Sequence, residues 1–291
     1  MASINELKKK IRGVKSTRQI TKAMKMIAGM RLSRSQKKFK DSLYYLDKTS
    51  SILPPLLADP DLDPNSAGRL LKTALAKTES GRSLYIVISG DRGLCGSFNN
   101  SALTKAGKTV AQDKETLSVF LVGRKASDRA KTFKMERIER YPDFFGTFDF
   151  PRAGEITDKL LSYVENENVS RVYVVHNTFV SLISFKTKVT RLLPIDRETL
   201  AKDEKKDTFE YEPGVDSLCE HAIRQYLRAA VYKLLAESYY SELAARISAM
   251  DNATRNANEL IDELTLEMNK VRQSNITKEL ADIVGGAESM R

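Results

Sequence analysis

From Val215 to Val284 the chain runs 70 residues without a glycine or a proline. One unbroken helix of that length reaches about 105 Å at roughly 1.5 Å per residue. Within it Leu243, Ile247, Met250, Thr254, Ala257, Ile261, Leu264, Met268 and Val271 recur at steps of three and four. Such a seam, this long and without internal caps, predicts a coiled coil. Pro213-Gly214 punctuates its start, and Gly285-Gly286 is expected to stop it.

A coiled coil needs a second strand, and the N-terminus offers one. Ile4, Leu7, Ile11 and Val14 set an apolar seam, which then shifts phase to Ile20, Met24 and Ile27. Gly13 and Gly29 each cost about 1 kcal/mol against alanine, so packing must support this helix. Pro54-Pro55 is expected to end it. The stretch ADPDLDPNSAG (Ala58 to Gly68) reads as a turn-rich, mobile connection.

Residues 82–195 carry a different pattern. The runs SLYIVIS (83–89), LSVFLVG (117–123), RVYVVH (171–176) and FVSLISFKTKVTRLL (179–193) are β-rich, and helical patterns lie near 98–113, 124–132 and 152–168. Alternation of this kind predicts an α/β unit with a largely parallel sheet. The last run follows its neighbour across Asn177-Thr178, which suggests a hairpin and an antiparallel edge strand. Tyr141 to Gly154 reads as an aromatic loop without a period, and residues 201–212 read as charged and exposed. The economical arrangement is an antiparallel helix pair made of the two ends, with the α/β module inserted at one end of it.

Charge is unevenly placed. Residues 1–48 hold 14 Lys and Arg against Glu6, Asp41 and Asp47, a balance of +11, so the rest of the chain carries −1 of the net +10. Such an arm seeks an acidic protein, a nucleic acid or an anionic surface. No stretch reaches the roughly 18 apolar residues of a membrane span, and no secretory signal is visible, so the chain is expected to stay where it is made. Cys95 and Cys219 form no framework, and His176 and His221 have no second ligand at metal spacing. No cofactor or metal is expected, and His176 reads as a satisfied strand-end residue.

SGDRGLCGSFNN (89–100) raises the question of phosphate binding, since it joins a strand to a helical pattern. Its spacing is GxxGxxG (Gly90, Gly93, Gly96), whereas a dinucleotide fingerprint wants GxGxxG and a P-loop wants GxxxxGK[ST]. The plain alternative is a structural turn with Ser97 or Asn99 as helix cap and Cys95 as a small buried residue. Elsewhere, KKKIRGVKSTRQITKAMKM suits a helix with one packed stripe and cations outside, and DNA remains a possible partner. The C-terminal helix is rich in Asn, Thr, Gln and Ser, which suits contacts that form and break.

Three motifs come together at this point: IRGVKSTRQITKAMKMIAGMRLSRSQ, SGDRGLCGSFN and AMDNATRNANELIDELTLEMNKVRQSNITKELADIVGGA. With them the chain resembles the gamma subunits of bacterial-type F-type ATP synthases. The resemblance implies a non-catalytic central rotor shaft. Residues 1–55 and 214–286 would form the antiparallel coiled coil, and 82–195 a Rossmann-like α/β foot. It implies alpha and beta subunits, an epsilon subunit and a membrane c-ring as partners, with nucleotide bound on alpha and beta. It places Lys22, Met24 and Lys25 against an acidic beta loop, and Arg246, Arg272, Gln273, Thr277 and Glu279 along the alpha–beta ring. It makes the glycine loop a corner of the foot, and expects no thiol gating. Two rivals stay open on the residues alone: a nucleotide-binding α/β enzyme and a basic coiled-coil protein that binds nucleic acid.

Overall fold

The computed structural model describes residues 3–62, 68–76, 81–135, 137–196, 212 and 214–288. Among the described residues six α-helices and five strands follow in the order α1 (Ile4–Leu57), α2 (Arg69–Leu75), β1 (Arg82–Ile88), α3 (Phe98–Gln112), β2 (Thr116–Val122), α4 (Arg124–Asp128), β3 (Arg137–Tyr141), α5 (Phe150–Asn166), β4 (Val169–Ser181), β5 (Ser184–Leu193) and α6 (Val215–Glu288). The fold is mixed α/β, with long terminal helices and a predominantly parallel sheet. The chain divides into two compact units. One holds residues 3–29 and 246–288; the other holds the described residues of 30–245. The division falls inside α1 and α6 rather than between elements.

In the larger unit the strand order is β3-β2-β1-β4-β5. Pairs among the first four strands are parallel, and β5 is antiparallel to β4. This is the doubly wound arrangement, with β1 at the centre and helices on both faces. Alternation along β1 separates the two cores. Leu84, Ile86 and Ile88 join Phe120, Val172, Leu160, Leu53, Leu227 and Leu234 on the face covered by α1, α5 and α6. Tyr85 and Val87 join Leu103, Val110, Val119 and Ala126 on the face covered by α3 and α4.

Several expectations need correction. Pro54 and Pro55 lie inside α1, which runs on to Leu57. The buried Leu53 and Leu56 hold that turn in the core, and the Pro54 carbonyl still accepts from Ala58 N–H at 3.1 Å. Likewise α6 passes through Gly285-Gly286 to Glu288. Glycine lowers helix propensity but keeps its amide donor, so the ladder continues. The seam of α1 does not shift phase. Its buried or half-buried stripe runs Leu7, Ile11, Val14, Arg18, Thr21, Lys25, Ala28, while Ile20 and Ile27 are exposed. Apolar identity misled there because the seam itself is polar.

The β4–β5 turn is at Leu182-Ile183, not Asn177-Thr178, so β4 is longer than its apolar run. The aromatic stretch 141–154 is not one loop. It closes β3, forms a 3-10 turn at Phe144–Thr147 and opens α5 behind the Asp149 cap. His176 lies within β4, not at its end. Its Nε2 meets Thr190 Oγ1 at 2.9 Å and its Nδ1 has no partner. Of the connections expected at 58–68 and 201–212, residues 63–67 and 201–211 lie outside the described residues.

Candidate functional site

The glycine turn sits at the carboxyl end of β1, where open α/β sheets bind nucleotides. Here protein groups fill that place. Asp91 Oδ1 accepts from Arg124 N–H at 3.0 Å and Phe144 N–H at 3.2 Å, and its Oδ2 accepts from Phe145 N–H at 2.8 Å. Three backbone donors of the kind that could hold a phosphate are thus taken by a carboxylate of the turn itself. A second carboxylate comes from α6. Glu242 is 3% exposed, and a Cβ at Gly90 would lie 2.6 Å from its Oε1.

The turn is pinned rather than loose. Gly90 N–H donates to Asn99 Oδ1 at 2.7 Å, and Asn99 Nδ2 donates to the Arg92 carbonyl at 3.1 Å. Ser97 stands at the N-cap of α3 but its side chain makes no cap bond, so Asn99 secures the corner without capping the helix. Gly96 (φ +60°) and Leu94 (φ +62°) are both left-handed, and Leu94 is 61% exposed. A Cβ added at Gly93 would meet nothing within 4 Å. Cys95 is buried, with Asn99 Nδ2 3.2 Å from its sulfur.

The smaller unit is a helix pair. Thr21 Oγ1 lies 2.8 Å from Thr254 Oγ1, Lys25 Nζ 2.5 Å from Asp251 Oδ1, and Arg18 Nη1 3.1 Å from Asn258 Oδ1. Partner numbers fall on one helix as they rise on the other, so the pair is antiparallel. Leu7, Ile11 and Ala28 on α1 and Met250, Ala257 and Ile261 on α6 are buried apolar residues of this unit. Thr21 is a buried polar residue among them. The bond from Lys25 holds the Asp251 carboxyl below the usual range.

The residues singled out from sequence fall on this unit. Lys22 is exposed, Met24 and Lys25 are half-buried, and Lys25 is engaged by Asp251. Arg246 is half-buried on α6, and Arg272, Gln273, Thr277 and Glu279 are exposed near its end. Thr277 Oγ1 donates to the Gln273 carbonyl at 2.9 Å. Sequence reasoning missed Asp91, Glu242 and Asp251, whose roles depend on long-range contacts. Among the described residues no cluster of three or more metal-ligating side chains occurs.

The chain thus joins a doubly wound module whose phosphate-binding edge is filled by carboxylates to an antiparallel helix pair, an architecture without an open nucleotide site at that edge. Comparison with known proteins gives the family. Residues 3–290 match the family described as ATP synthase. The chain is 34% identical over 295 residues to the ATP synthase gamma chain of Geotalea uraniireducens, covering 100% of both chains. It is 35% identical over 299 residues to that of Chlorobium phaeobacteroides, again covering 100% of both. The chain belongs to the ATP synthase gamma-chain family. Its fold matches a chain of the Euglena gracilis mitochondrial ATP synthase rotor, with a TM-score of 0.66 at 22% identity, covering 94% of this chain and 98% of that one. A chain of the OSCP/F1/c-ring assembly of the same enzyme gives a TM-score of 0.67 at 22% identity, covering 99% and 94%.

Proposed function

We propose that this chain is the central shaft of an F-type ATP synthase and has no catalytic residue of its own. The supporting observation is a family match that runs through both terminal helices and the α/β module without interruption. Residues 1–55 and 214–286 serve as the shaft and 82–195 as the foot. Alpha and beta subunits form the hexamer that surrounds the shaft; an epsilon subunit and the c-ring meet the foot. No nucleic acid or small-molecule substrate is bound. The chain works as a peripheral protein on the cytoplasmic face of the bacterial plasma membrane; among the described residues no helix is long and apolar enough to cross it.

The shaft acts by differential contact. An off-centre helix pair presents a different face to each beta subunit at each angle, and so biases each toward a different conformation. Inverting a two-state population from 1:99 to 99:1 takes roughly 5.5 kcal/mol of preference. Lys22, Met24 and Lys25 supply it against an acidic loop, and Arg246, Arg272, Gln273, Thr277 and Glu279 against the surrounding ring. Because Lys25 shares its charge with Asp251, exposed Lys22 carries more of the attraction. Gly90, Gly93 and Gly96 shape a structural corner.

Co-expression with alpha and beta subunits, followed by size-exclusion chromatography, tests the reading. One copy of this chain per hexamer is expected. Absence of an assembly, or micromolar ATP binding to the isolated chain by calorimetry, would refute it.

A further inference from the structure

The stretch 144–150 holds four phenylalanines in seven residues, Phe144, Phe145, Phe148 and Phe150. In the larger unit it lies across two helices at once. Phe145 stacks on Tyr239 of α6 at 5.3 Å and 7°, and Phe148 stacks on Tyr232 of α6 at 5.2 Å. Phe150 meets Tyr232 edge-on at 5.2 Å and Tyr45 of α1 edge-on at 5.3 Å. Lys38 of α1 donates to the Phe148 carbonyl at 2.6 Å and lies 5.6 Å from its ring. Tyr232 and Tyr239 are one heptad apart, and so are Lys38 and Tyr45. The stretch therefore reads the same two-turn ladder on each helix.

Its other end is tied to the sheet. Asp91, at the carboxyl end of β1, accepts the Phe144 and Phe145 amides, and Asp149 caps α5 through Arg152 N–H at 3.0 Å. Aliphatic contacts such as Leu53, Leu227 and Leu234 on the sheet resist separation, but they are non-directional; one ring pair, Phe179 of β4 with Tyr240 of α6 at 4.7 Å, also joins the sheet to α6. Ring planes and a lysine–carbonyl bond are directional. Arg224–Glu165 and Arg228–Asp158 also tie α6 to α5, yet they are partly exposed and leave α1 untouched.

We propose that residues 144–150 are a rotational key: Phe145, Phe148 and Phe150 are positioning residues that stop α1 and α6 from turning against the sheet. The inference rests on the shaft reading, because only a chain under torque needs such a key. Turning force between foot and shaft passes through the aromatic stretch as well as through the aliphatic core.

The test uses the complex assembled with alpha and beta subunits, carrying a bead on an exposed Lys131→Cys. Angular fluctuation of the bead at stall reports torsional stiffness, and high salt screens the two arginine pairs. Phe145→Leu with Phe148→Leu keeps apolar bulk but removes about half of the stretch's own directional contacts. Its angular variance should rise about twofold, with unloaded ATP turnover unchanged. Tyr232→Phe keeps the stacked ring and should behave as wild type. If the double variant fails to assemble, Tyr232→Leu carries the same test. Unchanged variance in an assembled variant would overturn the key while leaving the shaft intact. A wild-type complex that does not rotate would overturn the shaft reading, and the key with it.

Discussion

Lowering the pH from 7 to 5 should weaken the larger unit through one residue, His176. The ring is 2% exposed on β4. Burial, with the positive charges of Lys233 and its cross-strand neighbour Lys188, pushes its pKa down to about 3. Only Nε2 is hydrogen-bonded, to Thr190. The neutral ring with its proton on Nε2 leaves just an acceptor lone pair unmet at Nδ1; a charged ring would bury an unpaired N–H donor there instead, together with its charge.

In the unfolded chain the same ring titrates near 6.5, and each pH unit separating the folded and unfolded values is worth roughly 1.4 kcal/mol. Between about pH 3 and 6.5 the unfolded state therefore holds more protons, and stability falls as the pH falls. From pH 7 to 5 the loss comes to about 2 kcal/mol, or roughly 4–8 °C in Tm. Depressed carboxylates such as Asp113 also lose stability in acid, through protonation nearer their own range. The comparison with His176→Gln separates the two. Urea unfolding at pH 7, 6 and 5 should show the wild type losing about 2 kcal/mol more than the variant. Equal losses in both chains would refute the reasoning.

Three further outcomes follow from the turn. Asp91→Asn puts an amide donor beside a backbone donor and should cost about 1–3 kcal/mol in denaturant unfolding. Gly123→Ala, whose Cβ would sit 2.2 Å from the Ser89 carbonyl oxygen at φ +94°, should sharply reduce soluble yield and Tm. Leu94→Asn should raise stability by about 0.5–1 kcal/mol in the same unfolding assay, because asparagine tolerates the left-handed backbone better than leucine.

The four apolar strands, the long helices and the antiparallel pairing of the ends were legible because each rests on local periodicity or on an unbroken run. β3 was not legible: RIERY carries charges at Arg137, Glu139 and Arg140, as an edge strand with exposed positions can. The true α1 seam was hidden for a related reason. Arg18, Thr21 and Lys25 occupy seam positions because Asn258, Thr254 and Asp251 stand opposite, and no single helix reveals that. The aromatic stretch failed as a periodic pattern because its order comes from the helices it crosses. The heptad spacing of Tyr232 with Tyr239, and of Lys38 with Tyr45, was the available signal.

The glycine turn shows why this doubly wound module is not a nucleotide enzyme. Nucleotide binding needs backbone donors open to a phosphate and a glycine face that an anion can approach. Here the donors of Arg124, Phe144 and Phe145 face Asp91, and Glu242 of α6 covers Gly90. A phosphate would have to displace one carboxylate and lie against another. The same two contacts tie the aromatic stretch to β1 and seat α6 across the sheet edge. On this edge, mounting a long helix and binding a phosphate use the same atoms, and the helix has them.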